Sequence, residues 1–402
     1  LTVYKYVGRT KTGAPSKGTI DAANKNAAIA KLRERGINPR EINESKSLLH
    51  MEINLGENKV KNQDFVIYCR QFATLIRAGV SIVESTNILA QQSKSKPLKK
   101  ALQQVEEDIR SGIPFSEATV KHPKVFPALF TNMMRSGEAT GNIDDTLERL
   151  ANTFEKQYNL KKKIQSTLTY PAVLLVITII VVFFLLIFIV PTFVSTFEEM
   201  DAELPWITVF TVGVSEWLQQ FWWLVIGFTL IAIVVFRILY KGNKEFNYWV
   251  HYAVLRVPVF GPLLQKSVIA RLMRTLSSLF SSAVPILNAL TISERVVGNP
   301  VVGKVVLEAR TSLEKGSSLT EPLKQSWLFP PLVTSMTAIG ESTGSLDYML
   351  EKIADFYEAE VDRAVDTLKS LIEPLMILIL AVIVGFIVAA IMMPMFSLYE
   401  QI

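Results

Sequence analysis

Cysteine occurs once in this chain of 402 residues, as Cys69, and histidine three times, as His50, His122 and His251. A single cysteine excludes an intrachain disulfide. Histidines so far apart lack the spacing of a metal centre, so each reads as a surface or packing residue. Catalytic pairings are equally scarce, with no Ser-His-Asp candidates and no paired carboxylates that a sequence can show facing one pocket. The expectation is no catalytic residue, no cofactor and no metal. The opening residues, LTVYKYVGRTKTG, lack the apolar core of about 7–15 residues that a signal peptide needs, which predicts no cleavable leader and a cytosolic N-terminal part.

Charge is missing from the centres of three long apolar runs, 171–193, 221–239 and 374–396. Their centres hold no ionisable residue, whereas an ion or substrate path is usually marked by one, and Arg237 lies near an end from which it can snorkel. Each run meets the length rule of about 20 apolar residues for a bilayer core. Half of the residues are hydrophobic and the mean hydropathy is positive, which also points to a membrane protein. Basic residues are absent between the first two runs, where Glu198, Glu199, Asp201, Glu203 and Glu216 stand without a single Lys or Arg. Lys161, Lys162 and Lys163 precede the first run, and Arg237, Lys241 and Lys244 close the second. The positive-inside rule then predicts an extracytoplasmic loop, with Trp217, Trp222 and Trp223 as an outer aromatic belt and the tail SLYEQI outside. The net charge is +5, but Lys and Arg are mixed with Asp and Glu in the cytosolic parts, which argues against nucleic-acid binding.

What the chain does contain is a repeat. SGEATGN at 136–142 returns as IGESTGS at 339–345. With a shift of 203 positions, Phe126-Pro127 falls on Phe329-Pro330, Met133 on Met336, Glu155 on Glu358, Pro171 on Pro374 and Pro191 on Pro394. A shift of 204 upstream pairs Arg70 with Arg274 and Gly112 with Gly316. The chain therefore reads as a duplicated unit, a cytosolic helical module followed by a span, with the middle span inserted to bring the second module back inside.

Each module has helical punctuation. Phe65, Cys69, Phe72 and Ile76 recur at helical spacing and Gly79 ends the run. Ser81 to Glu84 has capping-box spacing, Pro285 suits a first helical turn, and Pro97 opens a helix that Gly112 closes. A short helix near SEATV and another over 127–136 follow. In the repeated loop Gly137 is placed as the left-handed residue that closes a helix, Gly141 as a second permissive position, and Gly340 and Gly344 as their counterparts. Asn142 and Ser345 then cap the next helix. Glu138 and Glu341 read either as solvated turn carboxylates or as contacts with a partner or cation. Glu373, just before Pro374 where the first copy has Tyr170, reads either as an interfacial anchor or as a contact with another subunit.

The stretch GNPVVGKVV at 298–306 imitates the start of a phosphate loop, with Gly298, Gly303 and Lys304 in place. Val305 stands where a hydroxyl residue would hold magnesium, and the stretch lies between helices rather than after a buried strand, so it reads as a turn before a helix.

The divisions expected are a small α+β unit at 1–45, a linker at 46–63, helical modules at 64–170 and 268–373, spans at 171–193, 221–239 and 374–396, an extracytoplasmic loop at 194–220, a cytosolic connector at 240–267, and an extracytoplasmic tail at 397–402. The fold class is mainly α, an integral membrane protein with three transmembrane helices, two homologous helical-bundle modules and the small N-terminal α+β unit. If the last helix of each module runs unbroken into its span, motion of a module becomes motion of a membrane helix.

Taken in order, YKYVGRTKTG, KGTIDA, AAIAKLRERGINP, RQFATLIRAGVSI, SGEATGNID with IGESTGSLD, VPVFGPL and EPLMILIL resemble the inner-membrane platform proteins of type IV pilus and type II secretion machines, the PilC/GspF family. The resemblance covers nearly the whole chain. It implies a non-enzymatic platform at the base of a pilus or pseudopilus. The implied partners are a hexameric cytosolic assembly or retraction ATPase, pilin or pseudopilin subunits, other inner-membrane assembly proteins, the bilayer and further copies of the chain. The implied location is the bacterial inner membrane, N-terminus inside and C-terminus outside. The alternative is a small membrane transporter or channel component. One departure lies at Ala283, which stands where the first module has Gly79 and casts doubt on identical turns.

Overall fold

The computed structural model describes residues 2–10, 15–22, 25–34, 36–44, 60–193 and 205–400. The chain divides into two compact units, Leu1–Lys59 and Val60–Ile402. The first has strands β1 (Thr2–Thr10), β2 (Pro15–Ala22) and β3 (Ile37–Glu44) in an antiparallel sheet of order β2-β1-β3, with helix α1 (Lys25–Glu34) between β2 and β3 in the chain. Ala28 and Leu32 of α1 are buried with Ile42 of β3. The sheet has an irregularity at Val7/Gly8, where a Cβ on Gly8 would stand 2.4 Å from the Asn38 carbonyl oxygen, so only glycine fits.

The second unit carries the duplication as two sets of six helices. The first set is α2 (Asn62–Arg77), α3 (Ile82–Gln92), α4 (Lys96–Arg110), α5 (Phe115–Val120), α6 (Ala128–Thr140) and α7 (Ile143–Phe184). A middle helix, α8 (Trp206–Gly242), and a short one, α9 (Lys244–Arg256), lead to the second set. That set is α10 (Phe260–Ser281), α11 (Ile286–Val297), α12 (Pro300–Glu314), α13 (Thr320–Gln325), α14 (Pro331–Thr343) and α15 (Leu346–Glu400). The punctuation works locally as expected: the Ser81 hydroxyl accepts the Glu84 amide, Pro97 lies in the first turn of α4, and Gly112 follows that helix at φ 93°.

Ala283 does not break the equivalence of the modules. Its φ is 56° and that of Gly79 is 84°. In both turns the next amide returns to the carbonyl five residues back, Val80 to Leu75 and Val284 to Leu279, each at 3.0 Å. The second module therefore holds an alanine in a left-handed conformation that favours glycine.

Aromatic side chains dominate the first core, where Phe65, Tyr68, Phe72, Phe115, Phe126 and Phe130 are buried against one another. The same cluster takes in Leu279, Val284, Ala289 and Ile292 of the second module. The Thr153 and Ser278 hydroxyls also meet at 2.8 Å, so the modules share a packed and hydrogen-bonded boundary.

Among the described residues, three helices are long and apolar enough to cross a membrane. α7 passes through Pro171 and, after a π-helical stretch at Leu185–Ile189, reaches residue 193. Pro191 explains that stretch, because it has no N–H for the carbonyl four residues earlier and its ring crowds that carbonyl. α15 continues through Pro374 without interruption.

The middle helix differs from expectation, since α8 starts 15 residues before the predicted span and absorbs much of the predicted loop. Its Thr208, Thr211 and Ser215 are buried rather than solvated. Thr208 donates to the Ala390 carbonyl at 2.6 Å, Ser215 donates to the Leu186 carbonyl, and Thr211 bonds within its own helix, so hydroxyls that resemble loop residues serve as helix-packing contacts. Glu198, Glu199, Asp201 and Glu203 of the predicted loop lie outside the described residues.

Candidate functional site: repeated hairpins and paired stems

The repeated loop is built from two glycines with different tasks. Gly141 and Gly344 close α6 and α14 at φ 73° and 70°. Gly137 and Gly340 do not close helices, contrary to the sequence-based expectation, but lie inside α6 and α14. The reason is tertiary. A Cβ on Gly137 would stand 2.6 Å from Thr146 Oγ1, and one on Gly340 would stand 3.1 Å from Leu346 Cα and Met349 Cβ. Each inner glycine lets the hairpin's two helices touch. Asn142 stands ahead of α7, but its side chain makes no capping bond.

The glutamates between these glycines turn inward along the module surface. Both carboxylate oxygens of Glu138 accept the Ser116 amide, at 3.2 and 3.1 Å, which caps the short α5. Glu341 caps α13 more fully. It accepts the Leu319 amide at 2.7 Å, the Thr320 amide at 3.3 Å, and the hydroxyls of Ser318 and Thr320 at 2.6 and 2.8 Å. Burial alone would raise its pKa, but these hydrogen bonds outweigh burial and hold the carboxyl below the usual carboxylate range. Neither glutamate is the solvated tip residue that the turn pattern suggested, because each is half-buried and clasps a segment 21 to 23 positions upstream.

Each module is tied to its long helix by an arginine. Arg70 of α2 bonds Glu148 at 2.9 Å, Asn152 at 2.6 Å and Glu155 at 3.2 Å through Nε. Its duplicate, Arg274 of α10, bonds Glu358 at 2.8 and 2.9 Å and pairs with Asp355. The two clamps differ in burial: the Arg274 side chain is 8 % exposed and that of Arg70 is 38 %. Sequence comparison aligns Arg70 with Arg274 and Glu155 with Glu358, yet it leaves unstated that the cation and anion of each copy meet. Their recurrence as a charged set on helices was the available signal.

The long helices also pair with each other below their apolar parts. Lys156 of α7 bridges Asp355 at 3.0 Å and Glu358 at 3.3 Å, and Lys163 bridges Asp362 at 2.8 Å. Both bridges advance in the same sense along the two helices, so these stems run parallel. From between these bridges to beyond Lys163–Asp362 runs an apolar seam of Leu160, Ile164, Val361, Val365 and Leu368, into which Leu263 of α10 packs. Lys156, Leu160, Lys163, Glu358 and Asp362 line a shallow open cleft at this seam.

Glu373 is exposed on α15 one residue before Pro374, as is Tyr170 before Pro171 on α7. The GNPVVGKVV stretch forms a helix start: Gly298 is left-handed, the Asn299 side chain accepts the Val301 and Val302 amides, and Lys304 is exposed on α12. Among the described residues, no group of three or more His, Cys, Asp or Glu could hold a metal ion.

These features can be set beside known proteins. The family model for type II secretion system protein F matches twice, over residues 68–191 and 272–394, and the model for that protein's N-terminal domain matches residues 1–43. The two matches coincide with the two module-and-stem units. A type IV pilus assembly protein PilC from Thermus thermophilus is 40 % identical over 99 % of this chain and 98 % of its own length. PilC from Myxococcus xanthus is 35 % identical over 98 % of this chain and 94 % of its own. Type II secretion system protein F from Vibrio cholerae is 31 % identical over 99 % and 98 %. With a matching duplication, three apolar helices and relatives aligned end to end, the chain belongs to the type II secretion system protein F family, which takes in the PilC proteins of type IV pilus assembly.

Proposed function

We propose that this protein is a non-enzymatic platform in the inner membrane that couples a cytosolic motor ATPase to the assembly of pilin or pseudopilin subunits. The observation that carries this reading is the continuity of each module with a membrane helix. An arginine clamp fixes the head of each module to a stem, and each stem passes through its proline into an apolar run without a break. Such a rod transmits rotation or tilt from module to membrane more faithfully than a flexible linker would. The inner glutamates hold the hairpins in shape, which leaves exposed Glu373, beside the start of the third span, as the stronger candidate for contact with a subunit or neighbouring copy. A membrane carboxylate that lined a transport path would support the alternative role, and the three apolar runs have none at their centres.

The test is to interrupt the rod without removing its parts. Replacing the exposed Asp366, Thr367, Lys369 and Ser370 by glycine, with the seam residue Leu368 kept, should leave the protein inserted and the motor bound while filament or secretion output falls. Wild-type output from such a variant would sink the coupling reading. The N-in, C-out orientation follows from the Lys and Arg asymmetry: alkaline phosphatase fused after Ile402 should be active and fused at Lys244 inactive.

A further inference from the structure

Between the second span and the second module the chain makes a sharp elbow. α9 and α10 meet there with a bend of 113°, and by length and hydropathy the pair would pass as one broken membrane span. A fourth span is excluded by what α10 carries: Arg274 is clamped to Asp355 and Glu358, Arg271 donates to the Val297 carbonyl, and Leu272, Met273 and Leu276 belong to the second module's core. The elbow itself is a γ-turn in which the Phe260 amide returns to the Pro258 carbonyl at 2.9 Å and Val259 takes φ 71°, ψ −52°. That is a strained conformation for a β-branched residue. Gly261 permits it, since a Cβ there would stand 2.3 Å from the Leu255 carbonyl oxygen.

The strain presents apolar side chains to the outside. Val257, Val259 and Phe260 are 42 %, 50 % and 39 % exposed, and Trp249 on the preceding helix is 64 % exposed. No described element covers them, although Leu255, between them in sequence, is buried in the module.

The position of the elbow along the stem says what they meet. α10 runs antiparallel to α15: Ser277 bonds the Asp347 carbonyl, Arg274 bonds Glu358, and Leu263 packs with Val361, Val365 and Leu368. Leu263 is centred on Val365 in this packing and Lys266 bridges Glu360, so at 1.5 Å per residue Val259 lies about 6 Å beyond Leu263, and Pro374, where the third apolar run begins, about 13 Å beyond Val365 in the same direction. The apolar tip therefore stands about 7 Å short of the start of the span, at the depth of the polar headgroup layer, which is about 5–8 Å thick on each side. Cations accompany it: the exposed Arg256 adjoins the elbow, its guanidinium held over the Tyr252 and Trp327 rings at 4.7 and 5.3 Å, and Arg237, Lys241 and Lys244, all exposed, stand where the second span ends, at the other end of α9. Aromatic and aliphatic residues accompanied by Lys and Arg are the composition of an interfacial membrane contact.

We propose that the elbow of Trp249, Val257, Val259 and Phe260 is a lipid-binding wedge, seated in the headgroup region of the leaflet that the modules face. It is a second membrane attachment of the second module besides the stem, and it rests on the three-span reading. The wedge limits how far that module can swing from the bilayer.

The test uses full-length protein in vesicles of phosphatidylcholine and phosphatidylglycerol, with an environment-sensitive fluorophore on single cysteines introduced as Trp249→Cys, Val259→Cys or Phe260→Cys. Native Cys69 is fully buried, and burial pushes its thiol pKa up, so it takes no label. Controls are Ser317→Cys on an exposed turn and Val382→Cys on the lipid-facing side of the third span. Insertion to about 5–10 Å predicts blue-shifted elbow labels, quenched by a spin label near the headgroup more than by one near the chain end, and loss of the iodide quenching seen at Ser317→Cys. Iodide quenching equal to that at Ser317→Cys at all three elbow sites would overturn the wedge. Shielding from both iodide and lipid quenchers would do so as well, by showing that protein covers the elbow. Failure of lipid quenching at Val382→Cys would instead overturn the span reading beneath it.

Discussion

Replacing Glu341 by alanine separates a clasp within the module from a contact with a partner. The carboxylate accepts four hydrogen bonds, two from the amides that begin α13 and two from hydroxyls beside them. A hydrogen bond to a charged group contributes about 1.5–3 kcal/mol net when buried, and water replaces part of that at a half-exposed site, so about 2 kcal/mol for the whole clasp is a reasonable magnitude. Local opening of the 318–325 segment should then become roughly 30-fold more frequent, at about 1.4 kcal/mol per factor of ten. The assay is amide hydrogen exchange on the full-length protein in detergent, read at Leu319 and Thr320. In Glu138→Ala, where both oxygens share one amide at more than 3 Å, the loss at Ser116 should be about 1 kcal/mol, or about fivefold. Because the folded-state pKa of Glu341 is depressed, its stabilisation is complete above the ordinary glutamate pKa and is lost as pH falls through the lowered folded-state value. Glu341→Gln should flatten this acid limb, followed by the fluorescence of Trp327, two residues beyond the end of α13. Wild-type exchange at Leu319 and Thr320 in Glu341→Ala would refute the clasp. If motor co-purification were lost at unchanged exchange, the glutamate would return to the role of a partner contact.

Two further substitutions probe the backbone of the repeat. Gly137→Ala should lower thermal stability by about 1–2 kcal/mol through overpacking against Thr146, and removing that hydroxyl and methyl in Thr146→Ala should recover part of the loss; a gain of about 1 kcal/mol, as helix propensity alone implies, would contradict the packing argument. Ala283→Gly should raise stability by about 1 kcal/mol and Gly79→Ala lower it by a similar amount, because a Cβ on Gly79 would meet nothing within 4 Å and only the left-handed φ distinguishes the residues; equal melting temperatures for all three proteins would refute it.

The sequence by itself determined the architecture. Apolar runs of bilayer length are set by transfer free energy within a single window, helix ends by capping, by the φ freedom of Gly and by the fixed φ of Pro, and the duplication by plain self-similarity. The spans and the paired sets of six helices were legible for that reason, whereas the left-handed residue that closes each helix is Gly141 or Gly344 and not the expected Gly137 or Gly340. Contacts between distant positions were decided only by the tertiary structure. Gly137 looks like a turn glycine until Thr146 folds against it, and Glu138 and Glu341 look solvated until α5 and α13 offer them amides from more than 20 positions away. Thr208 and Ser215 look like loop residues until the Ala390 and Leu186 carbonyls accept their hydroxyls. In each case the local pattern was compatible with two environments. Which one applied depended on the helix packed opposite, information that no short window of sequence contains.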